Sequence, residues 1–98
     1  MEKDAIVARL KENEPALRAR GVTHAALFGS YARGCNRDDS DIDIMIETEP
    51  GSVPDIYAYV ALKAYIAGLF AERVDVIERT FLKAHVRPPA EAAAIYAF

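Results

Sequence analysis

Residues 41–47 (Asp-Ile-Asp-Ile-Met-Ile-Glu) alternate with a period of two, and this alternation constrains the fold more than any other feature of the chain. A β-strand directs successive side chains to opposite faces of its sheet. The expected buried face carries Ile42, Ile44 and Ile46. The opposite face is expected to carry Asp41, Asp43, Met45 and Glu47. The segment therefore predicts a half-buried strand with two carboxylates on its outer face.

Other apolar patterns predict the elements around this strand. Residues 23–28 form a short apolar run between two glycines, and residues 73–78 read Arg-Val-Asp-Val-Ile-Glu, so both are expected to be strands. Apolar positions at helical spacing predict a first helix from Glu2 to about Glu14 and a second short turn from Pro15 to Arg20. Pro54 is expected to open a longer helix that ends near Glu72. Its predicted apolar face carries Ile56, Tyr59, Val60, Ile66 and Phe70.

The remainder is expected to be irregular over residues 83–89, around two adjacent prolines, and helical over the alanine-rich residues 90–98. The resulting order is helix, strand, turn, strand, helix, strand, helix. This order predicts the α/β (α+β) class, with a small mixed sheet of three or slightly more strands and helices covering one face. The other face would carry the two aspartates of residues 41–47. At 98 residues, the expectation is one domain spanning residues 1–98.

Charge and cysteine content narrow the range of functions. Twelve basic and fifteen acidic side chains give a net charge of −3, which argues against a nucleic-acid substrate because phosphate backbones favour basic surfaces. The single Cys35 cannot form an internal disulfide. No secretory signal follows Met1, and no apolar run approaches the roughly 20 residues that cross a bilayer. The cytoplasm, without membrane association, is the expected compartment.

Acidic residues on two predicted strands suggest a metal site. Asp41 and Asp43 lie two residues apart on one strand, so both point to the same side, about 6.6 Å apart along the chain. Asp75, between Val74 and Val76, has the same outward position on the last predicted strand. Adjacent carboxylates repel each other, and a divalent cation offsets that repulsion. Carboxylate oxygens without a neighbouring His or Cys cluster favour magnesium or manganese over zinc.

The segment Phe28-Gly29-Ser30 ends one predicted strand and enters a turn of at most one or two helical turns around residues 30–33. Exposed backbone N–H groups and the Ser30 hydroxyl at such a turn can bind phosphate oxygens, and Arg33 follows one helical turn later. Taken singly, each feature has an ordinary explanation: a structural Gly-Ser turn, a solvated strand face for the two aspartates, and a surface position for Asp75. Their occurrence together, within 50 residues, favours phosphoryl or nucleotidyl transfer.

The stretch from Leu27 to Ile44, Leu-Phe-Gly-Ser-Tyr-Ala-Arg-Gly-Cys-Asn-Arg-Asp-Asp-Ser-Asp-Ile-Asp-Ile, resembles the signature of the DNA polymerase beta superfamily of nucleotidyltransferases. In length and layout the whole chain is similar to the minimal members of that superfamily, the MNT proteins. The resemblance implies a palm-like nucleotidyltransferase fold. It also implies two magnesium ions held by Asp41, Asp43 and Asp75, which would be the catalytic residues. ATP would be the substrate, bound by Gly29, Ser30, Arg33 and Ser40, and Asp75 is the candidate general base.

Minimal members of this superfamily act as antitoxins of HEPN ribonucleases in type VII-like toxin-antitoxin pairs. The resemblance therefore implies transfer of AMP from ATP to a tyrosine hydroxyl of a HEPN toxin. Two alternatives remain open at this point. One is a non-catalytic antitoxin that neutralises the toxin by binding and occlusion. The other is a nucleotidyltransferase of small molecules such as aminoglycosides.

Overall fold

The computed structural model describes residues 1–85 and 87–98. The elements along this part of the chain are α1 (Lys3–Glu12), α2 (Glu14–Ala19), β1 (Val22–Phe28), α3 (Gly29–Arg33), β2 (Ile42–Thr48), α4 (Ile56–Ala67), β3 (Val74–Glu78), a 3-10 turn (Arg79–Phe81), α5 (Arg87–Ala93) and β4 (Ile95–Tyr96). The predicted break between the first two helices is confirmed, with Pro15 in the first turn of α2, where its missing N–H is tolerated. None of the helices within the described residues is long and apolar enough to cross a membrane.

The sheet is mixed, as predicted, and has the strand order β3-β2-β1-β4. Strand β1 pairs antiparallel with β2 on one side and with β4 on the other. Strand β3 pairs in parallel with β2 and lies at the edge of the sheet. A parallel neighbour requires a crossover connection, and α4 provides it. The two strands that carry the acidic residues are therefore direct neighbours.

The main core lies between one face of the sheet and helices α1, α2 and α4. The three isoleucines predicted to be buried, Ile42, Ile44 and Ile46, are each 0% exposed. They belong to one cluster with Leu10 of α1 and Ile66 of α4, together with Leu17 of α2. Because alternate residues of β2 enter this core, the remaining ones are directed to the opposite face.

The opposite face is not open along its whole length. Met45, predicted to be outward-facing, is 1% exposed and packs with Ala26 and Leu82 in a second, smaller cluster. The chain after β3 covers this part of the sheet. Arg79 fixes it there, since its guanidinium lies 3.7 Å from Glu47 and 2.7 Å from Glu91. The acidic end of the face stays uncovered by this cluster.

Helix α4 differs from its prediction in extent and orientation. It runs from residue 56 to 67 rather than from 54 to 72, and its N-cap is Asp55, whose carboxylate accepts a hydrogen bond from the N–H of Ala58 at 2.8 Å. The buried residues are Leu62 and Ile66, whereas Ile56 and Val60, predicted to be buried, are 63% and 56% exposed. The helix is apolar on both sides, so periodicity alone did not identify the side that meets the sheet.

The prediction for the last residues was wrong in two respects. The segment expected to be irregular contains the start of α5, because Pro88 and Pro89 occupy its first turn, where proline fits a helix. Residues 90–98 were expected to be helical, but α5 ends at Ala93 and the chain then forms β4. The N–H of Ala97 donates to the carbonyl oxygen of Ala25 at 2.8 Å, which extends this edge pairing.

Candidate active site

The uncovered end of the sheet carries a row of three carboxylates. Asp43 of β2 pairs in register with Asp75 of β3, so the two side chains leave the same face of neighbouring strands. Asp41 lies two residues before Asp43, immediately before β2 begins. We call Asp41, Asp43 and Asp75 the acidic row. The predicted proximity of the strands that carry them is therefore observed.

The acidic row perturbs its central member. The pKa of the Asp43 carboxyl is raised above its ordinary value, first by burial and then by the negative charges of Asp75 and Asp41. The positive charge of Arg33 acts in the opposite direction and lowers this pKa. Burial and neighbouring negative charges disfavour the ionised form of this carboxyl, so a cation bound beside it would be stabilised. The charge of Arg33 is thus close enough to act on the same site.

Arg73 is a member of this site that the sequence analysis did not identify. Its Nε donates to Oδ1 of Asp41 at 3.0 Å, and the Arg73 side chain is 84% exposed. Its backbone carbonyl accepts a hydrogen bond from the N–H of Ile42 at 2.9 Å, which starts the parallel pairing of β2 and β3. Arg73 could be identified only from the parallel register of the two strands. This register places Arg73, the residue before β3, next to Asp41, the residue before β2.

Gly29 allows the backbone after β1 to approach the acidic row closely. Its φ angle is +74°, in the left-handed region that favours glycine. A Cβ atom at this position would overlap the Oδ2 atom of Asp43 and would lie 3.0 Å from its Cγ. The first residue of α3 is therefore in contact with the central carboxylate, and a larger residue could not occupy its place without displacing Asp43.

The short helix α3 confirms the predicted helical turn after β1 and carries Ser30 and Arg33. Phe28 at its N-cap has no side chain that could accept a hydrogen bond, so no N-cap side chain satisfies the N–H groups of the first turn. Tyr31, 5% exposed, anchors the helix in the main core. Ser30 is half-buried and Arg33 is exposed. Both belong to the element that contacts Asp43, which places hydroxyl and guanidinium donors beside the acidic row.

Ser40 occupies the loop that leads into the acidic row. Its Oγ accepts a hydrogen bond from the N–H of Arg37 at 2.8 Å, and its own N–H donates to the Arg37 carbonyl at 3.0 Å. These two bonds close the loop directly before Asp41. The contacts observed for Ser40 are thus with the loop backbone.

The acidic row fits a divalent cation by its chemistry. Its ligands are hard oxygens, and burial together with mutual repulsion raises the pKa of Asp43, so a bound cation would stabilise a charge that both effects disfavour. Across residues 1–85 and 87–98, no three His, Cys, Asp or Glu side chains are already arranged around a common metal position. The ion pair with Arg73 engages Oδ1 of Asp41, so a metal bound by the row would compete with Arg73 for this carboxylate.

A family model matches almost the entire chain. The sequence model of the "Nucleotidyltransferase domain" family matches residues 4–96. A relative, "Protein adenylyltransferase MntA" of Thermococcus cleftensis, is 33% identical over 84 residues, which cover 85% of this chain and 83% of the relative. Residues 4–96, which the family model matches, contain α3 and the acidic row.

Solved structures resemble the fold over similar lengths. One assigned to a minimal nucleotidyltransferase is 29% identical and has a TM-score of 0.78, covering 97% of this chain and 95% of the other. A second, of an MNT antitoxin in complex with the tri-AMPylated HEPN toxin of Shewanella oneidensis, is 22% identical with a TM-score of 0.62. It covers 91% of this chain and 70% of the other. At this identity the second likeness concerns the fold alone.

Proposed function

Because the chain belongs to the nucleotidyltransferase domain family, we propose that it transfers AMP from ATP to a hydroxyl group of a partner protein. The acceptor we propose is a tyrosine of a HEPN-family toxin, which makes this chain the antitoxin of the pair. Two likenesses support this proposal. The Thermococcus cleftensis relative is named a protein adenylyltransferase, and the Shewanella oneidensis structure pairs an MNT antitoxin with an AMPylated HEPN toxin.

The observation that carries the proposal is the register of Asp43 with Asp75, beside a turn whose first residue, Gly29, contacts Asp43. Nucleotidyl transfer needs charge neutralisation on one side of the reacting phosphate and donors to the triphosphate on the other. The acidic row would meet the first need by holding metal, and Ser30 and Arg33 of α3 would meet the second. Ser40 contributes by ordering the loop before Asp41.

The reaction follows from this arrangement. Magnesium or manganese held by the acidic row, with two ions expected, would supply neutralisation of the triphosphate and a lower pKa for the attacking hydroxyl. The acceptor oxygen attacks the α-phosphorus of ATP, the bond from that phosphorus to the bridging oxygen breaks, and pyrophosphate leaves. Asp75 is exposed at the edge of the sheet and accepts the hydroxyl proton. Gly29 and Ser30 hold the leaving phosphates.

A specific observation favours a second candidate function, occlusion of the toxin without transfer. Arg73 already neutralises Asp41, one of the expected metal ligands. A chain that neutralises its partner only by binding would have no need to release this pair. In that case Arg73 would balance part of the negative charge of the acidic row. Substituting members of the row would then leave inhibition of the toxin intact.

Intact-mass spectrometry distinguishes the two candidates. The chain is incubated with ATP, magnesium and a candidate HEPN-family protein, in parallel with an Asp41→Asn/Asp43→Asn variant. A matched control, Asp38→Asn/Asp39→Asn, removes the same charge from exposed residues of the adjacent loop. Transfer predicts a gain of about 329 Da per AMP on the partner with the unsubstituted chain and the control only. No gain with any chain, together with retained neutralisation by the Asp41/Asp43 variant, would leave occlusion as the function.

A further inference from the structure

Helix α4 exposes an apolar side that the rest of the described chain does not cover. The helix contains a single charged residue, Lys63, and buries only its sheet-facing side. On the other side Ile56 is 63% exposed, Tyr57 82% and Val60 56%. Phe81, 66% exposed, adjoins them through Tyr59, with ring centroids 5.8 Å apart. We call Ile56, Tyr57, Val60 and Phe81 the α4 surface.

A cavity of about 420 Å³ opens within the α4 surface. Its lining includes the apolar side chains of Val53, Ile56, Tyr59 and Phe81 and the carboxylates of Asp55 and Glu78. Tyr57 and Val60 lie outside the cavity, so a small molecule that filled it would leave both exposed. Contiguous exposed apolar surface of this kind is typical of protein interaction sites. A protein that covers the whole surface explains more of the exposure than a small ligand does.

The rim of the cavity indicates the charge of the occupant. Asp55 caps α4 through Ala58, and Glu78 accepts a hydrogen bond from the N–H of Thr80 at 2.8 Å. Within residues 1–85 and 87–98, neither carboxylate forms an ion pair with a basic side chain of this chain. A partner that places Lys or Arg beside its apolar side chains would complement both carboxylates.

These charges also argue against a second copy of this chain as the occupant. A two-fold interface places the same surface on both subunits. Two α4 surfaces facing each other would place the Asp55 and Glu78 carboxylates of both copies in one interface. The net charge of −3 adds further repulsion. A basic partner is favoured over self-association on both counts.

We infer that the α4 surface docks the protein whose hydroxyl is modified, through apolar side chains flanked by Lys or Arg. This inference rests on the proposed function and adds the surface by which the acceptor is recognised. Glu78 follows Asp75 by three positions on β3, about 10 Å along the strand. Strand β3 is at the sheet edge, so no further strand separates the α4 surface from the acidic row. A partner seated on α4 reaches around this edge to Asp75.

Calorimetric binding of the same HEPN-family protein, without nucleotide, tests the inference. Ile56→Ser/Val60→Ser removes two exposed apolar side chains and is expected to weaken binding about 30-fold. Tyr96→Ser, 45% exposed and outside the α4 surface, is the matched control and should bind as the unsubstituted chain does. Urea unfolding of each variant verifies that the fold is kept. In the mass assay the double variant should transfer AMP again at high partner concentration, because docking and chemistry are separate.

A second pair of substitutions tests the charge of the partner. Asp55→Asn/Glu78→Gln keeps the hydrogen-bond acceptors and removes both charges, so binding should weaken several-fold and depend less on salt. Unchanged binding by Ile56→Ser/Val60→Ser would overturn the docking surface and leave the proposed transfer standing. Failure of the unsubstituted chain to bind the partner at all would overturn both. Self-association of the chain that Ile56→Ser/Val60→Ser abolishes would identify a second copy as the occupant and overturn the inference.

Discussion

Replacing Gly29 by alanine tests whether the backbone of α3 is in contact with Asp43. Gly29 has a φ angle of +74°, and an added Cβ would overlap the Asp43 carboxylate. Gly51 has a φ angle of +80°, and apart from its two chain neighbours no atom lies within 4 Å of an added Cβ. The two glycines have nearly the same backbone conformation and differ in what surrounds them. Gly51→Ala is therefore a matched control for the cost of the conformation alone.

The expected free energies of unfolding follow from this difference. A non-glycine residue in the left-handed region costs about 1–2 kcal/mol, which is the expected loss for Gly51→Ala. Forcing extra volume into a packed position costs about 1–3 kcal/mol more. Gly29→Ala is thus expected to lose about 2–5 kcal/mol in total. The excess over Gly51→Ala measures the collision with Asp43.

Urea unfolding of the single variants, and of Gly29→Ala in an Asp43→Ala background, measures the conformational cost and the cost of the collision separately. Removing the carboxylate should relieve most of the collision, so Gly29→Ala should then cost close to what Gly51→Ala costs. AMP transfer by Gly29→Ala should also fall, because Asp43 is displaced. Equal losses for Gly29→Ala and Gly51→Ala in the unsubstituted background would refute a contact between α3 and the acidic row.

Two further predictions concern the charges of the acidic row. The pKa of Asp43 is higher in the folded state than in the unfolded state. Ionisation of Asp43 therefore destabilises the fold as the pH rises from the unfolded-state pKa through the folded-state pKa. Asp43→Asn should therefore be more stable than the unsubstituted chain at neutral pH without metal, and this advantage should shrink toward pH 4. Urea unfolding across this pH range measures the difference. An advantage independent of pH would contradict a raised pKa for Asp43. Arg73→Ala should leave stability almost unchanged, since exposed ion pairs contribute about 0–1 kcal/mol. It should tighten manganese binding by up to about fivefold in a titration, and an unchanged or weaker affinity would show that Arg73 does not compete for Asp41.

The parts of the site that could be predicted from sequence are those set by local geometry. The period of two in residues 41–47 fixed the side on which Asp41 and Asp43 lie, since a strand admits only two directions. The glycine after a short apolar run located the turn at Gly29. The adjacency of β2 and β3 was an assumption in the sequence analysis and is observed in the structure. Arg73 was missed because its position depends on the register between these strands.

The errors lie where residue type did not decide between competing arrangements. Helix α4 has apolar residues on both sides, so the choice of Ile56 and Val60 as core residues had no polar face to guide it. The last residues were predicted as helix from their alanine content, yet Ile95 and Tyr96 find a partner in β1, which is far away in sequence. Tertiary pairing overrides such weak local preferences.

The parallel pairing of β2 and β3 determines how the length of this chain can vary. The two strands are joined through α4, and surface connections outside the helix, such as residues 49–54, can gain or lose residues without changing the direction of any side chain in β3. A single residue inserted or deleted between Arg73 and Asp75 is a different matter, because a one-residue slip turns every following side chain to the other face of the sheet. Asp75 would then turn to the core side of the sheet, in place of Val76 after an insertion or of Val74 after a deletion. Homologous chains are therefore expected to differ in length within the connections around α4 and to keep an unbroken spacing from Arg73 to Asp75.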